Sequence, residues 1–292
     1  MRFAPLIAIV GGLTCSYFRF HSTTEVSDPP QWKQMQREIL PTQGISANSS
    51  SDQAASEATL RHKVRMLRRG KDFLQSLDCY TARFQKQERV SGELLDEQTM
   101  AMKCRHAPFS IFLVWHTGDV GREVLYVDGQ NDNKLIAHDG GWKARLPAFS
   151  LAPDSTLAMR DARHPVTAAG LLKLIETMLE VHETDLRHRN YSTCDVVADQ
   201  FFDGHRCLAF TTTYKSANDS PVYRKSMTLL DTETGLPVHT QHFGWPGAGT
   251  SIGAEQLDEA TLVESYSYTD LRFECQLTDH DFDQRNQEYH FR

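Results

Sequence analysis

The sequence has no phosphate-binding loop, no C-x-x-C pair and no paired metal motif. It also has no positive net charge: the formal value is -7, so no overall positive field attracts the phosphates of nucleic acid. These absences predict no cofactor, no bound metal and no nucleic-acid partner. They lower the expectation of an enzyme, although a hydrolase with an unrecognised site stays open as an alternative.

The first residues have the composition of a leader segment. A basic start is followed by the apolar run Phe3–Leu13 and by small residues that include Cys15. This run has the length of a signal-peptide core and is short for a membrane span. Residues 1–20 are therefore predicted to be a signal peptide or a membrane anchor, with lipidation at Cys15 as an alternative. The protein is expected to be exported to the periplasm or cell envelope.

Residues 21–56 are rich in Ser, Thr, Gln, Ala and Pro and are predicted to be a disordered linker. Residues 57–292 are predicted to form a single domain, which begins with a helix over residues 57–77. The polar side of this helix is basic between residues 61 and 71. Two interpretations stay open: contact with acidic lipid head groups or an acidic partner, and an ordinary solvated helix face.

Strand-like segments follow one another from Tyr80 to Gly140, with turn-forming residues between them. Such a pattern predicts an antiparallel meander. The segment Phe109–Trp115 is apolar on both faces, so we expect it to be a central strand covered on each side.

A second amphipathic helix is predicted to begin near Pro165, and strand patterns resume after Cys194. The whole predicts an α+β domain: a curved antiparallel sheet, an incomplete barrel of roughly eight to eleven strands, with two main helices on its concave face.

The hydrophobic pattern also constrains the cysteines. A tight turn at Ser91 would bring Cys79 opposite Cys104, but it would separate the apolar side chains of the two strands onto different faces. A longer turn through residues 93–97 restores the match and predicts no bond between these two. A Cys194–Cys207 bond is also disfavoured, because its hairpin turn would place Gln200 opposite Cys207, so we expect buried free thiols.

Several stretches resemble one family of bacterial exported proteins, domain-of-unknown-function family 1571. The stretches are residues 87–92, 108–113, 121–127, 158–159, 163–170 and 281–291. The order of strands and helices is also similar to the lipoprotein-carrier fold of LolA and LolB. That resemblance implies an apolar cavity between sheet and helices that holds lipid acyl chains, and a lipid or lipoprotein partner.

Four polar groupings are candidate sites, and the weakest is His182, Glu183, Asp185 and His188 at a helix end, which could bind a cation. His239 and His242 would lie on opposite faces of a strand, which is poor geometry for a metal. The acidic cluster at residues 280–283 is better explained as a solvated terminal segment than as a cation site. Arg163 and His164 precede a helix start, which suggests an anion site or, as the favoured alternative, an Arg163 ion pair that fixes the loop.

The sequence thus favours an exported, non-enzymatic protein that binds a lipid or lipidated partner in an apolar cavity. A structural protein of the cell envelope with a filled core is the first alternative, and a hydrolase is the second. The candidate cavity residues are Tyr80, Phe84, Met100, Met102, Phe112, Tyr126, Leu172, Ile175 and Met178.

Overall fold

Every β-strand of the described chain belongs to one antiparallel sheet. The computed structural model describes residues 50–247 and 253–291, all within one compact unit that spans Ile39–Arg292. The strand order is β7-β6-β5-β4-β3-β1-β12-β11-β10-β9-β8, with the short β2 paired to β1. The two edge strands, β7 and β8, do not pair with each other, so the sheet is open. This confirms the predicted α+β class and the large antiparallel sheet.

The first half of the sheet is the predicted meander. Its strands are β1 (Cys79–Val90), β2 (Glu93–Leu94), β3 (Gln98–Arg105), β4 (Ser110–Trp115), β5 (Glu123–Val127), β6 (Leu135–His138) and β7 (Phe149–Leu151). The second half is formed by β8 (Tyr191–Phe202), β9 (His205–Tyr214), β10 (Lys225–Asp231), β11 (Pro237–Phe243) and β12 (Leu262–Arg272). The last strand returns to pair with β1, so the two halves join at the centre of the sheet.

Three α-helices lie in the described part of the chain. They are α1 (Ser50–Gln75), α2 (Leu171–His188) and α3 (Ala254–Thr261). The first begins at Ser50, earlier than the predicted Glu57, so the end of the predicted linker is helical. The rest of the linker and the predicted leader lie outside the described residues. None of these helices combines the length and the hydropathy that crossing a membrane requires.

The second helix begins at Leu171, six residues after the predicted Pro165. Pro165 and Ala169 have extended backbones on either side of a short 3-10 turn, and Gly170 has a φ of 93°. A positive φ cannot continue a right-handed helix, and glycine adopts it without a Cβ penalty. The Leu171 backbone N–H then donates to the Tyr80 hydroxyl at 2.8 Å, which fixes the start of α2 on the sheet.

Close backbone approach brings α1 onto the β10–β11 turn. A Cβ atom at Gly70 would lie 2.6 Å from the carbonyl oxygen of Gly235, so only glycine fits there. The side chains Leu60, Val64, Leu67 and Leu74 of α1 are buried beneath it. Tertiary packing of this stripe, rather than helix propensity alone, holds the helix in place.

The two faces of the sheet differ in what covers them. We call the face that carries Tyr80, Phe84 and Met100 the helix face, since Tyr80 contacts the start of α2. The outer face of β4 and β5 is covered by the C-terminal segment, whose Tyr289 ring stacks on Phe112 at 4.0 Å. The central, doubly covered position predicted for Phe109–Trp115 is confirmed.

The strand register confirms the face-matching argument about cysteines. Tyr80 lies opposite Cys104 and Phe84 opposite Met100, as the longer turn requires. The structure contains a disulfide that the sequence did not predict, between Cys79 and Cys275. The expectation of five free thiols is therefore wrong for this pair and right for the remaining three: Cys104, Cys194 and Cys207 are buried and free. Because the segment after β12 has no periodic pattern, its return to β1 could not be read from the sequence.

Candidate functional site

A cavity of about 260 Å³ lies between the helix face of the sheet and α2. Residues of the loop between β7 and α2 close one side of it, including Pro153, Ala162 and Pro165. Leu174 and Met178 of α2 form its roof. The cavity is therefore enclosed by three parts of the chain that are distant in sequence.

One wall of the cavity is apolar. Strand register aligns Tyr268, Phe84, Met100 and Trp115 in one row across β12, β1, β3 and β4, and Leu113 belongs to the neighbouring row. All five side chains are nearly fully buried and line the cavity. We call this set the apolar wall. Residues paired across neighbouring strands point to the same face of the sheet, so these side chains form a row on the helix face.

The other wall is polar. Ser226, His242, Glu264 and Glu88 lie opposite one another in one row across β10, β11, β12 and β1. All four line the same cavity, and we call them the polar wall. A row of this composition on a buried face requires hydrogen-bond partners, because an unpaired buried polar group is costly.

Glu264 is the most heavily partnered member of this wall. Its carboxylate accepts hydrogen bonds from Tyr223 at 2.6 Å and Arg163 at 3.0 Å, and the Tyr266 hydroxyl, whose hydrogen goes to Glu88, lies 3.2 Å from it. The ring of His164 adds a fourth contact at 3.0 Å. Burial alone would raise the pKa of Glu264, but the hydrogen bonds from His164 and Tyr223 and nearby positive charge hold it well below its usual range. Glu264 is therefore a buried anion.

Glu88 completes the same network. It accepts hydrogen bonds from the Tyr266 hydroxyl at 2.5 Å and from the Lys86 ammonium at 2.8 Å. The Arg163 backbone N–H also donates to it, at 3.3 Å. The loop before α2 is thus fixed to the sheet through both carboxylates. This is the favoured alternative for Arg163: an ion pair with an internal carboxylate that holds the loop.

Four of the candidate cavity and polar-motif residues line the cavity: Phe84, Met100, Met178 and His164. Their role in binding stays a prediction. The others are buried or half-buried near it without lining it: Tyr80, Met102, Tyr126, Leu172, Ile175 and Arg163.

Phe112 is the one candidate placed on the wrong face. It lies opposite Lys103 and Leu125, and its ring packs against Phe282, Tyr289 and Phe291 on the outer face. The strand Ser110–Trp115 is apolar on both faces, so the sequence alone could not assign its side chains to either one. Leu113, its neighbour, lines the cavity instead.

The histidines considered as metal ligands have other partners. His239 contacts Ser267 at 2.8 Å on the outer face, whereas His242 lies opposite Glu264 on the helix face, as the odd spacing predicts. Asp281 of the C-terminal cluster pairs with Lys103 at 2.8 Å. Within residues 50–247 and 253–291 no three His, Cys, Asp or Glu side chains form a group suited to a metal.

The polar wall itself was missed in the sequence. His242 was judged only as a metal ligand, and Ser226, Glu264 and Glu88 were not singled out. The spacing of Glu264, Tyr266 and Tyr268 does place them on one face of β12. Their partners across four strands depend on register, and register was not readable between the halves of the sheet.

A serine, a histidine and a glutamate in one row invite comparison with a hydrolase triad. In the described part of the chain no hydrogen bond joins Ser226 to His242, or His242 to Glu264, and the Glu264 carboxylate is occupied by four other groups. The row as it stands does not activate a nucleophile. Ser251 has the G-x-S-x-G spacing of another nucleophile motif, but residues 248–252 lie outside the described residues.

A family model described as a protein of unknown function, DUF1571, matches residues 77–291. No curated protein matches the chain.

Solved structures with similar folds share little sequence with the chain. The lipoprotein LppX of Mycobacterium tuberculosis is 10% identical, with a TM-score of 0.42, over 74% of this chain and 98% of that one. A putative outer membrane lipoprotein-sorting protein domain from Vibrio parahaemolyticus is 11% identical, with a TM-score of 0.36, over 77% and 97%. A LolA superfamily protein from Nitrosomonas europaea is 11% identical, with a TM-score of 0.30, over 75% and 96%.

Proposed function

We propose that this chain, which belongs to the DUF1571 family, binds the aliphatic part of a lipid or of a lipidated partner in the cavity beneath α2. The cavity carries the proposal: most of its lining is apolar, and it lies between a rigid sheet and a helix. Sites of this kind, mostly apolar with a few convergent polar groups, are where proteins hold small ligands. Chemistry on the ligand is not part of the proposal.

The volume sets the scale of the ligand. A methylene group is about as large as a water molecule, whose share of liquid volume is about 30 Å³. A cavity of about 260 Å³ therefore has room for roughly nine such groups. At about 0.8 kcal/mol for each buried methylene, their burial contributes roughly 7 kcal/mol before the cost of association. A medium-length acyl chain, or part of a longer one, fits this range.

The main alternative, a structural protein with a filled core, is less well supported. In that alternative α2 would pack directly on the sheet beneath it. Instead, Leu174 and Met178 line a cavity together with Leu113 and Trp115 of the sheet. Methionine at such positions suits a cavity of adaptable shape.

Two substitutions on α2 test the proposal as a matched pair. Leu174 and Leu172 are both half-buried leucines on the same helix, but only Leu174 lines the cavity. Leu174→Trp should fill the cavity, whereas Leu172→Trp should leave it open. Native mass spectrometry of the full-length protein, purified from a bacterial host, should show bound lipid in wild type and Leu172→Trp and little in Leu174→Trp. Circular dichroism should show that both variants fold.

Two results would count against binding. One is a wild-type protein that carries no lipid and does not take up added acyl compounds. The other is equal lipid content in Leu174→Trp and Leu172→Trp, which would place the lipid elsewhere on the protein.

The disulfide supports the proposal that the protein is exported. A Cys79–Cys275 bond forms and persists in an oxidising compartment and is rare where thiols are kept reduced. The leader predicted at residues 1–20 provides the route. Thiol titration of the protein isolated from the periplasmic and cytoplasmic fractions of the same cells tests this: one disulfide is expected in the periplasmic material, and an all-thiol protein there would contradict it.

We also propose that the basic face of α1 contacts an anionic surface. Fewer of its basic residues are available for this contact than the sequence suggested. Lys63 is fully buried, and Arg61, Arg68 and Lys71 pair with carboxylates. In the described part, Arg65 of α1 and Arg187 of α2 are exposed beside a shared groove without an ion pair.

Each basic residue near an anionic surface contributes about 1 kcal/mol. Arg65→Gln with Arg187→Gln should therefore weaken sedimentation with phosphatidylglycerol vesicles by roughly 30-fold. The pair Lys134→Gln with Arg145→Gln, exposed on the other half of the sheet, is the control. Equal loss in both pairs would indicate a general charge effect.

A further inference from the structure

Two polar atoms of the polar wall have no hydrogen-bond partner in the described part of the chain: Ser226 Oγ and His242 Nδ1. Both residues line the cavity, and they lie directly opposite each other on β10 and β11. Ser226 is only 3% exposed, so bulk solvent does not reach its hydroxyl. Buried polar groups are nearly always paired, and two adjacent exceptions beside a cavity require an explanation.

The protonation of His242 can be assigned from its surroundings. Burial lowers its pKa to about 4, so the ring is neutral at pH 7 and carries one N–H. Its Nε2 lies 3.3 Å from Thr240 Oγ1, and Thr240 donates its single hydrogen to the Met227 carbonyl at 3.1 Å. We assign the Thr240 hydrogen to the Met227 carbonyl, which can only accept; Thr240 then accepts from His242, and the ring hydrogen is assigned to Nε2. The unpaired Nδ1 is then a lone-pair acceptor.

This assignment restricts what can complete the site. The missing group must donate a hydrogen bond to His242 Nδ1, and it can accept one from the Ser226 hydroxyl, which has its hydrogen free. A carbonyl or an ether oxygen only accepts, and an ammonium group only donates. A hydroxyl does both.

The charged side chains near His242 favour an uncharged ligand group. Lys63 is fully buried, and burial lowers its pKa to about 8, while its charge is felt at His242 and at His182. Glu264 places a negative charge on the other side of His242. An anionic head group would meet the like charge of Glu264 and a cationic one that of Lys63, whereas an uncharged hydroxyl meets neither repulsion.

The Ser226 side chain can rotate to meet a ligand. Its side chain has a single heavy-atom torsion with three staggered positions, so Oγ of Ser226 reorients toward the cavity at little cost. The adjacent apolar wall would hold the aliphatic part of the same molecule. The site therefore orients its ligand: the aliphatic part lies along the apolar wall and the head group lies at the polar wall.

We propose that Ser226 and His242 form a hydroxyl-binding subsite, and that the ligand of the cavity is an aliphatic molecule with an uncharged hydroxyl group. The inference rests on the proposed function, because it assigns the head group of the same ligand. A long-chain alcohol and the free hydroxyl of an acylglycerol share this chemistry.

A ligand series isolates the hydroxyl. Full-length protein loaded with the uncharged fluorophore N-phenyl-1-naphthylamine is titrated with 1-decanol, with its methyl ether, and with monooctanoylglycerol. The ether keeps the acceptor oxygen and loses the donor. The readout is the affinity for each hydroxyl ligand divided by the affinity for the ether, which cancels the shared aliphatic contribution.

Substitutions then test the two residues. The ratio should fall about tenfold in His242→Phe, which removes the acceptor for the ligand's hydrogen. Ser226→Ala should instead lower the affinities for the alcohol and the ether alike by about tenfold, because both ligands keep the oxygen that accepts from Ser226, and Ser226→Thr should restore them. Thr228→Val is the matched control, because it removes a buried hydroxyl two residues along the same strand that does not line the cavity. A higher ratio for decanol or for the acylglycerol identifies the source of the hydroxyl.

The outcomes are distinguishable. If the fluorophore and the ligands bind but His242→Phe leaves both ratios unchanged and Ser226→Ala leaves the affinities unchanged, the two atoms are satisfied by ordered water or by each other, and the subsite is overturned while the cavity proposal stands. If neither the fluorophore nor any ligand binds, both proposals fail.

Discussion

Strands β1, β3 and β4 line one wall of the cavity with Phe84, Met100 and Trp115, whereas β10, β11 and β12 line the other with Ser226, His242 and Glu264. Both walls belong to the same face of the same sheet. The apolar wall is held by burial, which has no direction and tolerates changes of shape. The polar wall is held by hydrogen bonds to particular atoms.

The polar wall is itself divided. At Glu264 and Glu88 every carboxylate contact is made within the protein, and the network fixes the loop before α2. At Ser226 and His242 the hydrogen bonds are incomplete. We therefore expect different residues of this row to serve different roles. Glu264 and Glu88 stabilise the fold, and Ser226 and His242 recognise the ligand. The predictions below test that separation.

The largest effect is expected from Glu264→Ala. It removes the acceptor of Tyr223 and the carboxylate partner of Arg163 and His164 in a buried site, and breaking such a pair typically costs about 3–5 kcal/mol. Urea denaturation measures the loss. Glu259→Ala, on the exposed side of α3, is the control. Equal unfolding free energies for the two variants would show that the network does not support the fold.

A smaller loss is expected in the apolar wall. Leu113→Ala removes a nearly fully buried side chain and should cost about 2–3 kcal/mol, the lower part of the usual range, because the residue already borders a cavity. The exposed Leu157→Ala should change the free energy of unfolding by less than about 0.5 kcal/mol. A loss in Leu113→Ala as large as that of Glu264→Ala would contradict the contrast between the walls.

Acid should weaken the fold through His242. Its pKa is lowered to about 4 in the folded protein, below the ordinary value of 6.5, so the unfolded chain takes up the proton first. Stability is therefore lost as the pH falls from about 6.5 toward 4, by about 3 kcal/mol from this residue. His242→Gln should flatten the curve in that window, whereas the exposed His188→Gln should not.

His164 should act in the opposite sense and more weakly. Its hydrogen bond to Glu264 raises its pKa, so its contribution is present below about pH 6.5 and is lost as the pH rises through the raised value. The ring is half-exposed, so solvent limits the effect to under about 1 kcal/mol. Comparing His164→Gln with wild type between pH 6 and 9 measures it, and a wild type that gains stability over that range relative to the variant would contradict the assignment.

The smallest effect on stability is expected at Ser226. Its hydroxyl has no partner in the described part of the chain, so Ser226→Ala should change the free energy of unfolding by less than about 0.5 kcal/mol. Thr228→Ala removes a hydroxyl that contacts Thr240 at 3.4 Å and should cost about 1 kcal/mol. If Ser226→Ala proves the more damaging of the two, its hydroxyl is structural.

The sequence was most informative where local pattern decides the structure. Period-2 alternation and turn residues located the meander, and face-matching gave the Phe84–Met100 register correctly. It was least informative where distant segments meet. The Cys79–Cys275 bond and the cover of Phe112 by Tyr289 both involve the C-terminal segment, which has no periodic pattern.

The candidate site shows the same limit. Phe84, Met100 and Met178 were found because apolar residues at regular spacing predict a buried face. Ser226 and His242 face each other across the β10–β11 hairpin, whose register is shifted at Leu229, and Glu264 joins them only through the pairing of β11 with β12. A single polar residue within a strand gives no sign of its neighbours across the sheet, so this row required the structure.

Isothermal titration calorimetry of 1-decanol with the full-length protein tests the central claim most directly. Wild type should show one site per chain and a negative heat-capacity change on binding, since that change marks the burial of apolar surface. Leu172→Trp should bind as wild type does, and Leu174→Trp should not bind. Equal binding by the two variants, or no binding by wild type, would contradict the claim that the cavity beneath α2 is a ligand site.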